Sequence, residues 1–237
     1  MLQNFRSFIF FICMVLLVLP FTIAGIFGLL VSKVFSYRLM SGYSACITWL
    51  LKVLCDLKLE ITGRENISSQ PVIYAVKHQS AWETICLQNI LPPNTSWILK
   101  KSLVYVPVFG LAVLAASPIA INRKERRSAI ESIIKQGKQK IAAGRNIIIF
   151  PEGTRTTYGE KTKYKLGAAK LAIATGVPIV PVAHNAGKFW KRHGLKKHPG
   201  TIKLEIGDPI DTTNIDPKQL MQEIETWIEN KLLEWQD

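Results

Sequence analysis

The sequence predicts a single α/β domain, with a mostly parallel or mixed sheet flanked by helices, preceded by an N-terminal membrane-embedded helical segment. Three observations lead there. Short, continuously apolar runs alternate with segments of helical periodicity over residues 57–237, the pattern of a sheet covered on both faces. Those 181 residues are enough to enclose one sizeable core. Ahead of them, Ser7 to Val31 gives 25 positions without a charge, dense in Phe, Ile, Leu and Val.

A straight helix of that length reaches about 37 Å, enough to cross a hydrocarbon core of about 30 Å with some tilt. The stretch is too long for a signal-peptide h-region and has no small-x-small cleavage site, so it reads as retained. Pro20, Gly25 and Gly28 interrupt it, and after Lys33 and Arg38 a second apolar run, Leu39 to Leu51, has 13 residues, too few to cross alone. Two architectures fit: one transmembrane helix plus an interfacial helix, or a two-helix hairpin sunk into one leaflet with the Pro and Gly residues taking the bend. Lys33, Arg38 and Lys52 on the C-terminal side, against Arg6 on the other, turn the main domain toward the cytoplasm. The chain divides into a membrane anchor, 1–56, and a second domain, 57–237.

Within the second part, Val72 to Val76, Ser96 to Leu99, Ile119 to Ile121, Asn146 to Phe150, Pro178 to Val182 and Ile202 to Ile206 read as strands. Ile130, Ile133, Ile134 and Ile141 recur at helical spacing in a segment that stops at Gly144, and Lys165 to Thr175 is a second helix ended by Gly176. A last helix opens with Asp216 as N-cap and Pro217 at N1, and aligns Leu220, Ile224, Trp227, Ile228 and Leu232 on one face.

Thirty Lys and Arg face 17 Asp and Glu, a net charge of +13, and 48% of the residues are hydrophobic. A chain this apolar buries enough surface to fold, which excludes disorder. The basic balance calls for an anionic partner. Residues 1–56 hold Arg6, Lys33, Arg38 and Lys52 against Asp56, so +10 of the charge belongs to residues 57–237. No helix-turn-helix signature, zinc spacing or aromatic platform interleaved with cations accompanies it, which argues against nucleic acid and leaves anionic lipid or a phosphorylated small molecule. Lys188 to His198, with five Lys or Arg, reads as an exposed basic loop that meets anionic headgroups. Cys13, Cys46, Cys55 and Cys86 form no C-x-x-C pair and read as free thiols in a reducing compartment. His184, His193 and His198 lack ligand spacing, so no metal site is expected.

In open α/β sheets the chemistry gathers beyond the carboxyl ends of strands. After Val76 comes Lys77-His78-Gln79-Ser80-Ala81-Trp82-Glu83. A histidine five residues before a carboxylate at a strand-to-helix junction supplies the elements of a general-base dyad, the acid fixing one imidazole nitrogen while the other faces a substrate hydroxyl. Ser80-x-x-Glu83 is equally a capping box, with the carboxylate given to backbone N–H groups, and on spacing alone one residue does not easily serve both. After Phe150 comes Pro151-Glu152-Gly153-Thr154-Arg155, a tight turn in which Gly153 permits close backbone approach and Arg155 offers a planar fork for phosphate; an ordinary turn with a solvated arginine is the competing reading. After Ile121 comes Asn122-Arg123, opening a basic run that also reads as a solvated helix face.

Taken in order, His78 and Glu83, then Arg123, then Phe150 to Arg155, then Val177-Pro178-Ile179-Val180-Pro181-Val182 resemble the four sequence blocks of the glycerolipid acyltransferase family, most closely the bacterial lysophosphatidic acid acyltransferases. The resemblance covers about residues 57–210, with one departure: Glu83 stands where the family's H-x-x-x-x-D has aspartate. It implies that His78 is the general base and Glu83 its orienting acid. It further assigns Arg123, Glu152, Gly153, Thr154 and Arg155, with Lys165, to the site that holds the acceptor's glycerol phosphate. The implied reaction acylates the sn-2 hydroxyl of lysophosphatidic acid, or another lyso-lipid acceptor, from acyl-carrier protein or acyl-coenzyme A, with no metal or cofactor, at a bacterial inner membrane. A non-catalytic protein that binds anionic lipid would share the anchor and the basic rim, yet would have no reason to pair His78 with Glu83.

Overall fold

The structure, a computed structural model, describes residues 1–106, 110, 117–122 and 126–236. It opens with two helices, α1 (Leu2–Gly28) and α2 (Lys33–Cys55), that pack against each other as a hairpin. The chain reverses at 29–32 and not at Pro20, which stays inside α1. Ser32 caps α2 by accepting the Phe35 N–H at 3.0 Å. Gly25 and Gly28 let the helices touch instead of bending one: a Cβ on Gly28 would lie 2.8 Å from the Ser36 Cα, and Ser36 Oγ donates to the Gly25 carbonyl at 2.6 Å. Among the described residues, α1 alone is long and apolar enough to cross a membrane. Its outward stripe of Phe5, Phe8, Ile12, Leu16, Leu19, Ile23 and Phe27 is exposed.

Seven strands follow: β1 (Leu57–Thr62), β2 (Ile73–Val76), β3 (Thr95–Lys100), β4 (Ile119–Ile121), β5 (Asn146–Ile149), β6 (Ile179–His184) and β7 (Gly200–Ile206). They lie in the order β1-β7-β6-β2-β5-β3-β4, parallel except for the antiparallel β6–β7 pair. The interleaved helices are α3 (Trp82–Cys86), α4 (Arg126–Ala142), α5 (Gly167–Thr175), α6 (Ala186–Phe189) and α7 (Pro217–Glu234). The architecture is therefore the expected α/β domain with a mixed sheet.

Strand alternation sorts the core into two layers. Tyr74, Val76, Ile148, Val180 and Val182 face a cluster that contains Phe10, Ile47, Leu51 and Trp82, so the N-terminal hairpin and α3 roof that side. Ile73, Ala75, Ile147, Ile149, Ile179 and Ala183 face α5 and α7 through Ala168, Leu171, Leu220 and Ile228. The C-terminal helix forms as expected: Asp216 accepts from the Lys218 and Gln219 N–H groups at 2.7 and 3.3 Å, and Leu220, Ile224, Ile228 and Leu232 are buried.

Two local expectations are corrected. The basic run from Lys188 to His198 is not wholly exposed. Trp190 and Lys197 are buried, because α1 folds down on the loop: Phe10 meets Trp190 edge-on at 5.6 Å, and the Lys197 ammonium lies 4.3 Å from the Trp190 ring centroid and 5.0 Å from that of Phe10. Burial brings the Lys197 ammonium down to about 8. The first strand, Leu57–Thr62, was also absent from the expectation. It is a half-buried edge strand with alternating Leu57, Leu59 and Ile61, not a continuous apolar run.

Candidate active site

Three neighbouring parallel strands, β6, β2 and β5, end on one rim, and the chemistry-bearing residues stand there. The pleat persists one step past β2, since the Lys77 N–H still donates to the Val182 carbonyl at 3.0 Å. Lys77 and His78 therefore point to opposite layers, Lys77 toward α7 and His78 toward α3.

The His78 ring stacks on Phe150 at 3.9 Å with 16° between planes, and its Nδ1 lies 2.9 Å from Glu83 Oε1. Glu83 is fully buried, and its Oε1 also accepts the Gln79 and Ser80 N–H groups at 2.9 and 2.8 Å, the latter shared with Oε2 at 3.1 Å. The one Glu83 carboxylate serves both the imidazole and the backbone. The capping and dyad readings are thus combined in a single side chain, against the expectation that one residue would not easily do both. The cap is also rearranged: Ala81 is the N-cap, while Ser80 Oγ accepts the Trp82 N–H at 3.1 Å and donates to the Trp190 carbonyl at 2.6 Å. Burial penalises the Glu83 charge, yet the hydrogen bonds from His78 and the Ser80 N–H hold the carboxyl below its ordinary range. An ionised Glu83 calls for a proton on His78 Nδ1, the tautomer that in a neutral imidazole carries its lone pair on Nε2.

The turn after β5 is tied to the same backbone. The Thr156 N–H donates to the His78 carbonyl at 2.8 Å, and the Gly153 N–H closes the turn on Phe150 at 3.0 Å. Gly153 sits at φ 72°, with its Cα facing the Lys165 side chain so closely that a Cβ would collide with it. Thr154 is exposed at the tip and Lys165 is exposed beside Gly153. Arg155 is half-buried; its Nη2 donates to Thr84 Oγ1 at 3.3 Å, on the residue next to Glu83. Its buried Nε has no hydrogen-bond partner among the described residues. Arg123 lies outside the described residues.

Glu152 faces inward. It pairs with buried Lys77 at 3.2 Å and accepts the His78 N–H at 3.3 Å, and Lys77 in turn pairs with Glu229 of α7 at 2.6 Å. Tyr164 donates to the same Glu229 oxygen at 2.9 Å. Burial pushes the Glu152 carboxyl up to about 7 against the pull of Lys77, and its Oε2 lacks a partner among the described residues. Glu152 thus backs His78 from the α7 side and does not line the rim. A separate cleft of about 470 Å³ between α2 and β1, lined by Trp49, Lys52 and Arg64, contains none of these residues.

Sequence reasoning missed three members of this assembly: Lys77, Glu229 and His184. The last stands at the end of β6, where the strand-end rule would have found it; nothing local in the sequence announces the Lys77–Glu229 pair.

The chain matches the family model described as "Acyltransferase" over residues 58–185. The chain belongs to the acyltransferase family. Its relatives include the 1-acyl-sn-glycerol-3-phosphate acyltransferase of Pseudomonas aeruginosa, 39% identical over 78% of this chain and 73% of that one. The enzyme of the same name from Saccharomyces cerevisiae is 30% identical over 88% of this chain and 71% of its own. The crystal structure of the 1-acyl-sn-glycerophosphate (LPA) acyltransferase of Thermotoga maritima has the same fold, with a TM-score of 0.81, 20% identity and coverage of 98% and 97% of the two chains.

Proposed function

We propose that this acyltransferase transfers an acyl chain from a thioester, on acyl-carrier protein or coenzyme A, to the sn-2 hydroxyl of 1-acyl-glycerol-3-phosphate, giving phosphatidic acid and a free thiol. The observation that carries the reading is the 2.9 Å pair of His78 Nδ1 and a buried, ionised Glu83 beside the guanidinium of Arg155. The names of the Pseudomonas and yeast relatives support the acceptor.

In this reading His78 Nε2 takes the hydroxyl proton as the oxygen attacks the thioester carbonyl. Glu83 holds the imidazole in the Nδ1–H tautomer and stabilises the imidazolium that forms. Collapse of the tetrahedral adduct breaks the C–S bond, and the imidazolium returns the proton to the departing sulfur. Arg155 and Lys165 at the rim, with Thr154 and Arg123, supply fixed cations and donors for the acceptor phosphate, and Gly153, without a side chain, lets it approach the turn closely. Holding the phosphate places the neighbouring hydroxyl against the base and converts a bimolecular encounter into an oriented one.

Residues 1–56 act as the anchor, with the exposed stripe of α1 in the lipid, and residues 57–237 as the catalytic domain. The basic residues of 188–198, tethered to α1 through Trp190 and Lys197, then lie at the headgroups of a bacterial inner membrane on its cytoplasmic side. The test is purified protein with a panel of lyso-acceptors, each offered acyl-carrier-protein and coenzyme A thioesters, with products weighed by mass spectrometry. Phosphatidic acid as the preferred product supports the reading; preference for a lyso-lipid without a terminal phosphate refutes the acceptor, and absence of transfer to any refutes the reaction.

A further inference from the structure

His184 is fully buried at the end of β6, on the layer that holds His78 and Glu83, and the mechanism above gives it no task. Both of its ring nitrogens are assigned by their partners. Nε2 lies 2.8 Å from the Lys77 carbonyl, an acceptor only, so Nε2 carries the proton. Nδ1 accepts the Ala186 N–H at 3.3 Å, so it carries the lone pair. The imidazole is neutral and locked as one tautomer, and burial keeps it so despite the Glu83 charge nearby. Its edge stands 3.8 Å from Glu83 Oε2, the oxygen turned away from His78, and the Trp82 ring packs 5.5 Å from its own.

We propose that His184 is a positioning residue of the dyad. Its Nε2–H pins the carbonyl of the residue immediately before His78, and its ring closes the Oε2 side of Glu83, so that the carboxylate stays turned with Oε1 on His78. Neutrality is part of the arrangement: a second imidazolium at that distance would compete with His78 for the same negative charge. The inference rests on the dyad reading above and adds to it a third member brought in by the β6–β2 pairing.

Two polar replacements separate the nitrogens. Glutamine reproduces the reach of Nε2 and can still donate to the Lys77 carbonyl, whereas asparagine reproduces Nδ1 and keeps only the Ala186 contact. His184→Asn is expected to lower kcat by roughly 10- to 100-fold, the cost of a small misplacement of reacting groups, with KM for the acceptor within about twofold of wild type. His184→Gln is expected to recover most of that kcat, and the two variants should melt within a few degrees of each other. Wild-type kcat in His184→Asn, equal losses in both variants, a loss confined to KM, or a difference in melting temperature in place of one in kcat would each overturn the proposal. His78→Ala, run alongside, separates the two ideas: an inactive His78→Ala with an active His184→Asn removes only the role of His184, and an active His78→Ala removes the dyad itself.

Discussion

The two turns that meet at the rim are built on opposite principles. In the turn after β2, Glu83 is wholly buried and its carboxylate is held by one imidazole and two backbone N–H groups, all within 3.1 Å. In the turn after β5, the outward groups are under-committed: Arg155 has one side-chain bond of 3.3 Å and an unpartnered Nε among the described residues, and Lys165 and Thr154 are exposed. The difference matches the roles proposed for the two turns. A general base acts on a proton at one point in space, so its orientation has to be fixed before substrate arrives. Cations that receive a phosphate find their remaining partners in the ligand, and a rim already satisfied by protein would have nothing left to offer it.

Substitutions on the two turns should therefore fail in different ways. His78→Ala removes the proposed base, and kcat should fall by about 10³-fold or more with melting temperature and membrane association near wild type, since general-base contributions run from about 10² to 10⁴. Steady-state kinetics beside a thermal melt check this. Glu83→Gln keeps the shape but loses the charge that orients and stabilises the imidazolium; a loss of roughly 10²- to 10³-fold in kcat with little change in KM is expected. Arg155→Ala should raise KM for a phosphate-bearing acceptor by about tenfold or more, with the smaller part of the defect in kcat.

The smallest effect is on stability. Burial raises the Glu152 carboxyl to about 7, above its unfolded value, so the folded state holds that proton longer than the unfolded chain does. The contribution is present at low pH, declines as pH rises through the carboxylate range, and is gone above about 7. Glu152→Gln, neutral throughout, should flatten the fall in melting temperature between pH 5 and pH 8 by a few degrees, as about 1 kcal/mol shifts a chain of this size by about 2–4 °C. Parallel slopes for wild type and variant would show that Glu152 is ionised across that range.

How much of this was legible in the sequence depends on how local the cause is. The strand read from Asn146 to Phe150, observed over Asn146–Ile149, is legible because both its faces are buried and all but Asn146 are apolar, and Asp216-Pro217 announces α7 through chemistry confined to its first turn. The edge strand Leu57–Thr62 was not, since alternation on a half-exposed strand is diluted by Lys58 and Glu60. His78 and Glu83 were found by spacing, but spacing could not tell a cap from a dyad, because the geometry that brings Glu83 onto the Ser80 N–H also brings it onto His78. No local signal marks Lys77 for burial. Its partner Glu229 lies 152 positions away, and only the packing of α7 under β2 joins them. Lys197 was misread for the same reason: its burial is created by Phe10, from the other end of the chain.

The contrast between the turns is tested most directly by the ratio of kcat/KM for 1-acyl-glycerol-3-phosphate to that for the matching 1-acylglycerol, measured in wild type, Glu83→Gln and Arg155→Ala with one thioester donor. A dyad that does the chemistry and a rim that holds the phosphate predict an unchanged ratio in Glu83→Gln and a ratio at least about tenfold lower in Arg155→Ala. A ratio that collapses in Glu83→Gln, or holds in Arg155→Ala, would contradict this division of labour.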